Sequence, residues 1–180
     1  MTKRDHYQAG AASGARVEKG NGKWALVVTR VLHHPPDLVW KAITEAAHLK
    51  EWAPYDVDRD LDRAGPVNFT TVGTPNPQID ASEVTRAEPP SLLEARWGGN
   101  EMRWLLEPIE GGTRLTLWHA IDSKFIAMGA AGWQICFDVL EQLFEGAPLG
   151  RIVARDAMKH GWPRLHQEYT ALFDAEIKGA

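Results

Sequence analysis

The chain has one cysteine, no long apolar run and no excess of basic residues. The lone Cys136 cannot form an internal disulfide, and its apolar neighbours suit a reducing cytoplasm. No apolar stretch approaches the roughly 20 residues that span a bilayer. Lys and Arg number 20 against 24 Asp and Glu, for a net charge of −4 and a pI near 6.0. That balance argues against nucleic acid as the main partner. P-loop and dinucleotide fingerprints are missing, as is a Ser–His–Asp order. His33 and His34 are adjacent, and Pro163 lies between His160 and His166. Neither arrangement has the short, repeated Cys/His spacing of a zinc site, so no metal and no cofactor is expected. The first 22 residues contain no apolar h-region and are rich in Gly, Ala and charge. This composition predicts a disordered leader over 1–22, not a signal peptide.

Tryptophan is plentiful instead: eight occur in 180 residues. Each brings a large apolar surface and one N–H donor. The length suits one domain, over 23–178, in which roughly 70% of the unfolded surface can be buried. Trp24 to Leu32 is rich in β-branched and apolar residues and predicts a strand. Pro35-Pro36 stops it and starts a helix, with Asp37 where the helix dipole favours a negative charge. Ala47 to Trp52 reads as a second short helix, stopped by Pro54. Asp56, Asp58, Asp60 and Asp62 fall at period two, which places them on one solvated side of an extended segment.

Beyond them the pattern is a meander of strands. Val67–Val72 and Ile79–Ala87 flank a Pro-rich loop, and Leu93, Ala95 and Trp97 alternate along the next strand. Gly98-Gly99-Asn100 turns the chain into Met102, Trp104 and Leu106, and Gly111-Gly112 turns it again into Leu115, Leu117 and His119. Alternation puts these two rows on one face, with Arg96 and Arg103 on the other. The last third is helical. Trp133, Cys136, Phe137, Leu140, Leu143 and Phe144 form an apolar stripe in a helix opening at Gly132-Trp133 and stopping at Gly146 and Pro148. A second stripe runs Trp162, Leu165, Tyr169, Leu172 and Phe173.

The ordered set of landmarks resembles the START-like (SRPBCC) superfamily. It comprises Arg30-Val31-Leu32, Pro35 to Trp40, His48 to Pro54, the hairpin from Glu107-Pro108 to Leu117, and Gly132-Trp133. Within the superfamily the chain is similar to the family named after activators of the heat-shock protein 90 ATPase. The resemblance implies an α+β helix-grip fold, START-like and Bet v-like. In it a curved antiparallel sheet wraps a long C-terminal helix, with two short helices after the first strand. It also implies a central cavity between sheet and helix.

The residues expected to line that cavity are Trp52, Trp97, Met102, Trp104, Leu106, Leu117, His119, Trp133, Phe137 and Leu140, with Trp52 near the mouth. His119 is the one polar residue of the inward row, placed to donate to a ligand oxygen or to titrate. Cys136 sits in the apolar stripe and is expected to pack inertly. The expected function is cytoplasmic binding of a small apolar or amphipathic molecule, by a monomer or a homodimer. One alternative is a chaperone-interacting module of the ATPase-activator type. The other is an enzyme on the same scaffold, a cyclase, isomerase or hydrolase. Catalysis needs two or more converging titratable groups, and only His119 is nominated, so no catalytic residue is assigned.

Overall fold

The computed structural model describes residues 1–179. A short helix, α1 (Lys3–His6), and a strand, β1 (Ala15–Gly20), come first. Strand β2 (Lys23–Leu32) leads into α2 (Pro36–Thr44) and α3 (Ala46–Trp52). Six strands follow: β3 (Tyr55–Val57), β4 (Gly65–Thr71), β5 (Ile79–Glu88), β6 (Leu92–Trp97), β7 (Asn100–Ile109) and β8 (Gly112–Ala120). The long helix α4 (Ile126–Phe144), a 3-10 turn (Ala157–His160) and α5 (Trp162–Lys178) close the order.

The eight strands form one curved antiparallel sheet in the order β1-β2-β8-β7-β6-β5-β4-β3. The helix-grip expectation from the sequence is met: α4 lies over β2 and packs against α3 and α5. Register follows the alternation. Met102 stands opposite His119, Trp104 opposite Leu117, and Leu106 opposite Leu115, and all six are buried. Arg96 and Arg103 point outward, where they meet Glu83 and Glu94. The hairpin between β7 and β8 needs glycine at two positions for different reasons. Gly111 has φ +79°, whereas a Cβ on Gly112 would lie 2.1 Å from the Leu32 carbonyl oxygen.

Four details depart from the sequence reading. Residues 1–22 are ordered rather than a disordered leader: β1 pairs along its length with β2, and Ala9 is buried. Arg4 donates to the carbonyls of Leu149, Gly150 and Arg151 at 2.8–3.0 Å. The Tyr7 hydroxyl donates to Asp138 at 2.6 Å. These partners lie far away in sequence, so local composition carries no trace of them. The four aspartates do not share an extended row, because β3 ends at Val57. Asp56 pairs with Arg151, Asp58 accepts from Asn68, and Asp60 accepts from the Ala46 N–H. Helix α4 opens at Ile126 rather than at Gly132. Gly129 and Gly132, poor helix formers, mask its first two turns in the pattern. Finally, Leu172 is 55% exposed and lies outside the buried face of α5 formed by Leu165, Tyr169 and Phe173.

The C-terminus of α4 ends as its glycine predicts. Gly146 has φ +71°. Its N–H bonds the Leu143 carbonyl while the Ala147 N–H bonds that of Gln142, a Schellman closure. A salt bridge ties the same helix to the sheet: Arg30 of β2 meets Asp138 and Glu141, each at 2.8 Å.

Candidate functional site

The middle of the grip is filled by the protein's own side chains. Trp52 packs edge-on against Trp104 at 6.2 Å between ring centroids, and Trp104 meets Phe137 at 6.0 Å. Met102, Leu106, Leu117 and Leu140 complete this packing, each no more than 2% exposed. Seven of the ten nominated residues are therefore core: Trp52, Met102, Trp104, Leu106, Leu117, Phe137 and Leu140. Trp52 in particular is fully buried, not at a mouth, and spends its N–H on the Ala42 carbonyl at 2.9 Å. Alternation identifies inward positions correctly, but it does not say which inward side chains meet each other and leave no space.

A cavity of about 640 Å³ opens at one end of the grip instead, within the size range of small-molecule sites. Three nominated residues line it: Trp97 at the end of β6, His119 near the end of β8, and Trp133 of α4. The remaining helix wall comes from Phe125, Met128, Gly129, Gly132 and Cys136. Pro54, Thr71, Gly98, Asn100 and Ile121 also line it. The outer wall, Ile152–Ala154 with Ala157, Met158 and Trp162, comes from the segment between α4 and α5. Sequence reasoning missed this wall because the segment lacks strand or helix periodicity. The run from Gly150 through Trp162 to Tyr169 resembles an extension of some family members, and Trp162 heads the stripe of α5, but neither signal assigns the segment to a cavity. Phe125, Met128 and Met158 stand at the mouth with 40–56% of their surface exposed.

The outer wall is held by charged groups outside the cavity. Arg151 donates to the Leu49 carbonyl at 3.0 Å and to Asp56 at 2.6 Å. The N-terminal arm clasps the same segment from its other side. The Ala9 N–H bonds the His160 carbonyl, and His160 Nδ1 meets the Tyr7 carbonyl at 2.8 Å.

The cavity wall is neutral. Among the described residues, none of those lining it is Asp, Glu, Lys or Arg. His119 is 5% exposed, and its Nδ1 accepts the Trp133 indole N–H at 3.0 Å. Its ring stacks on Trp97 with centroids 5.6 Å apart. Burial pushes the imidazole down to about 4, so it is uncharged at neutral pH. Its Nε2 is buried and has no partner in the protein. Thr71 Oγ1 is already engaged by the Trp97 N–H at 3.0 Å. Cys136 is 3% exposed and burial pushes its thiol up to about 12, which matches the inert packing expected of it. Two titratable groups thus share the cavity, but neither is poised near neutrality for proton transfer. Among the described residues, no group of three or more His, Cys, Asp or Glu could hold a metal ion. No helix among them is long and apolar enough to cross a membrane.

Comparison with solved structures supports the architecture. A conserved protein of unknown function from Enterococcus faecalis is similar at a TM-score of 0.67 and 17% identity, over 89% of this chain and 90% of that one. CalU16 from Micromonospora echinospora is similar at 0.62 and 22% identity, over 90% and 93% of the two chains. An AHSA1 protein from Silicibacter pomeroyi is similar at 0.57 and 20% identity, over 67% and 97%. At these identities the likeness speaks to the fold. Comparison with curated proteins gives no match. The model of the family described as activator of Hsp90 ATPase homolog 1-like protein matches residues 33–145. With more than half of its length matched and a helix-grip fold around it, the chain belongs to the activator of Hsp90 ATPase homolog 1-like family, within the START-like superfamily.

Proposed function

We propose that the protein is a cytoplasmic binder of a small, mostly apolar molecule, held in the cavity between α4, the ends of β6 and β8, and the outer wall. One observation carries this reading. A cavity of about 640 Å³ is lined by aromatic and other apolar side chains with a few polar groups and no charged one. Apolar lining with a few placed polar groups is the usual make-up of a small-molecule site. The cytoplasmic placement rests on the single buried Cys136.

Native mass spectrometry of freshly purified protein, set against its denatured mass, tests the reading. A reproducible extra mass that leaves on denaturation is expected. A bare mass, with no uptake from a panel of apolar compounds, would refute it. The chaperone reading rests on the family description alone. A chaperone ATPase rate that responds to added protein would favour it over ligand binding.

A further inference from the structure

Building on the ligand-binding reading, we infer that the cavity takes an uncharged amphipathic molecule whose hydrogen-bonding end lies against Asn100 and Thr71. Its apolar body then rests on α4 and the outer wall. The hairpin between β6 and β7 places the first residue of this polar corner. Asn100 stands directly opposite Trp97, and opposite residues of an antiparallel pair share a face. It also precedes Met102 of the buried inward row by two residues, one period of the strand. The Asn100 amide is therefore on the concave side, while Glu101, opposite Arg96, is on the other. Asn100 is exposed and lines the cavity, so the amide is open to a ligand there. Trp97 ties the second residue to the first, because its indole N–H donates to Thr71 Oγ1 at 3.0 Å. The Thr71 hydroxyl keeps its own proton to donate and a second lone pair to accept.

The corner and the rest of the wall together set the class. The Asn100 amide and the Thr71 hydroxyl can each donate and accept, so a ligand hydroxyl, carbonyl or amide is met equally well. Away from the corner, Phe125, Met128, Ile152, Val153 and Met158 offer only apolar surface. A pure hydrocarbon would cover the two polar groups without replacing the hydrogen bonds they make to water. No charged side chain lines the cavity, so a charged end would lose hydration without a counter-charge. A carboxylate or phosphate would also be repelled by Asp80, which accepts the Gly98 N–H at 2.8 Å beside the corner. An ammonium would find aromatic faces but no carboxylate in the lining.

The test compares four probes on the full chain by equilibrium dialysis: fluorene, fluorenylmethanol, fluorene carboxylate and fluorenylmethylammonium. The alcohol is expected to bind about tenfold more tightly than fluorene, the discrimination of one or two net hydrogen bonds. Both charged probes are expected to bind more weakly than the alcohol. In Asn100→Ala and in Thr71→Val the preference for the alcohol should fall to about threefold or less, and Thr71→Ser, which keeps the hydroxyl, should retain it. Asn100→Asp puts a carboxylate at the corner, and there the ammonium should gain about threefold on the alcohol. Nitrogen NMR of the wild-type chain gives a readout independent of the variants. The Asn100 side-chain amide resonances should move when fluorenylmethanol is added and stay nearly in place with fluorene. Equal binding of fluorene and the alcohol, or a preference that neither Asn100→Ala nor Thr71→Val lowers, would overturn this inference and leave the ligand-binding reading standing. Tighter binding of either charged probe than of the alcohol would overturn the uncharged class. Binding of none of the four would overturn the inference too, and a bare native mass alongside it would remove the ligand-binding reading as well.

Discussion

Gly132 gives the most direct test of whether the cavity is open space. It lies mid-helix in α4, where glycine costs about 0.8–1.0 kcal/mol relative to alanine. A Cβ built there would meet only Trp162 Nε1, at 4.0 Å. Gly132→Ala therefore gains helix propensity without a clash. The expected gain is close to 1 kcal/mol, or roughly 2–4 °C in Tm for a chain of this length. Gly129 serves as the control three residues earlier on the same helix. There a Cβ would lie 2.6 Å from Ile121 Cδ1 and 3.5 Å from Leu26 Cδ2. Ile121 must rotate away, so Gly129→Ala should gain less than Gly132→Ala. A third variant, Gly132→Leu, carries the side chain further into the cavity and should abolish ligand uptake while the fold persists. Calorimetric melting and native mass spectrometry read these effects. A lower Tm for Gly132→Ala would mean that neighbouring atoms already occupy the space beside it, and the cavity as described would be wrong.

Three further predictions follow from the buried and clasped groups. His119 titrates near 6.5 when unfolded and near 4 when folded. Between those values the unfolded chain takes up a proton that the folded protein refuses, so acidification from about pH 6.5 to 4 should cost about 3 kcal/mol at 1.4 kcal/mol per unit. In His119→Gln this share of the acid sensitivity should vanish, and urea melts across that range would show an unchanged pH slope if the reasoning is wrong. Cys136, its thiol pushed up to about 12 by burial, should react with a thiol reagent at pH 8 far more slowly than in urea; labelling at the denatured rate would contradict its burial. Arg4→Ala removes a guanidinium that holds three carbonyls from Leu149 to Arg151. With about 30% of that side chain exposed, the expected loss is about 1–2 kcal/mol. Amide exchange should rise in residues 149–157 and stay unchanged in β7 and β8.

Much of the frame could be read from the residues, because alternation is a local signal. Trp104, Leu106, Leu115, Leu117 and His119 were placed on one face by period two alone, and β7 and β8 pair in the implied register. Trp133 and Phe137 were likewise placed by helical spacing. What alternation lacks is volume. Trp52, Trp104 and Phe137 all face inward, and their rings meet and fill the centre, whereas Trp133 borders open space on its other side. The arm is invisible for a different reason. Its order depends on contacts such as Tyr7 with Asp138 and Ala12 with Glu168, between residues more than a hundred positions apart.

That separation bears on the order in which the molecule assembles. Hairpins between neighbouring strands close short loops and form early, while contacts that close very long loops come late. The arm can dock only once α4, the 3-10 turn and α5 are already in place, because it bonds Asp138, His160 and Glu168. The clasp over the outer wall is thus among the last pieces to set and, by the same logic, among the first to release. Such a release would loosen the outer wall and leave the sheet and the aromatic centre intact.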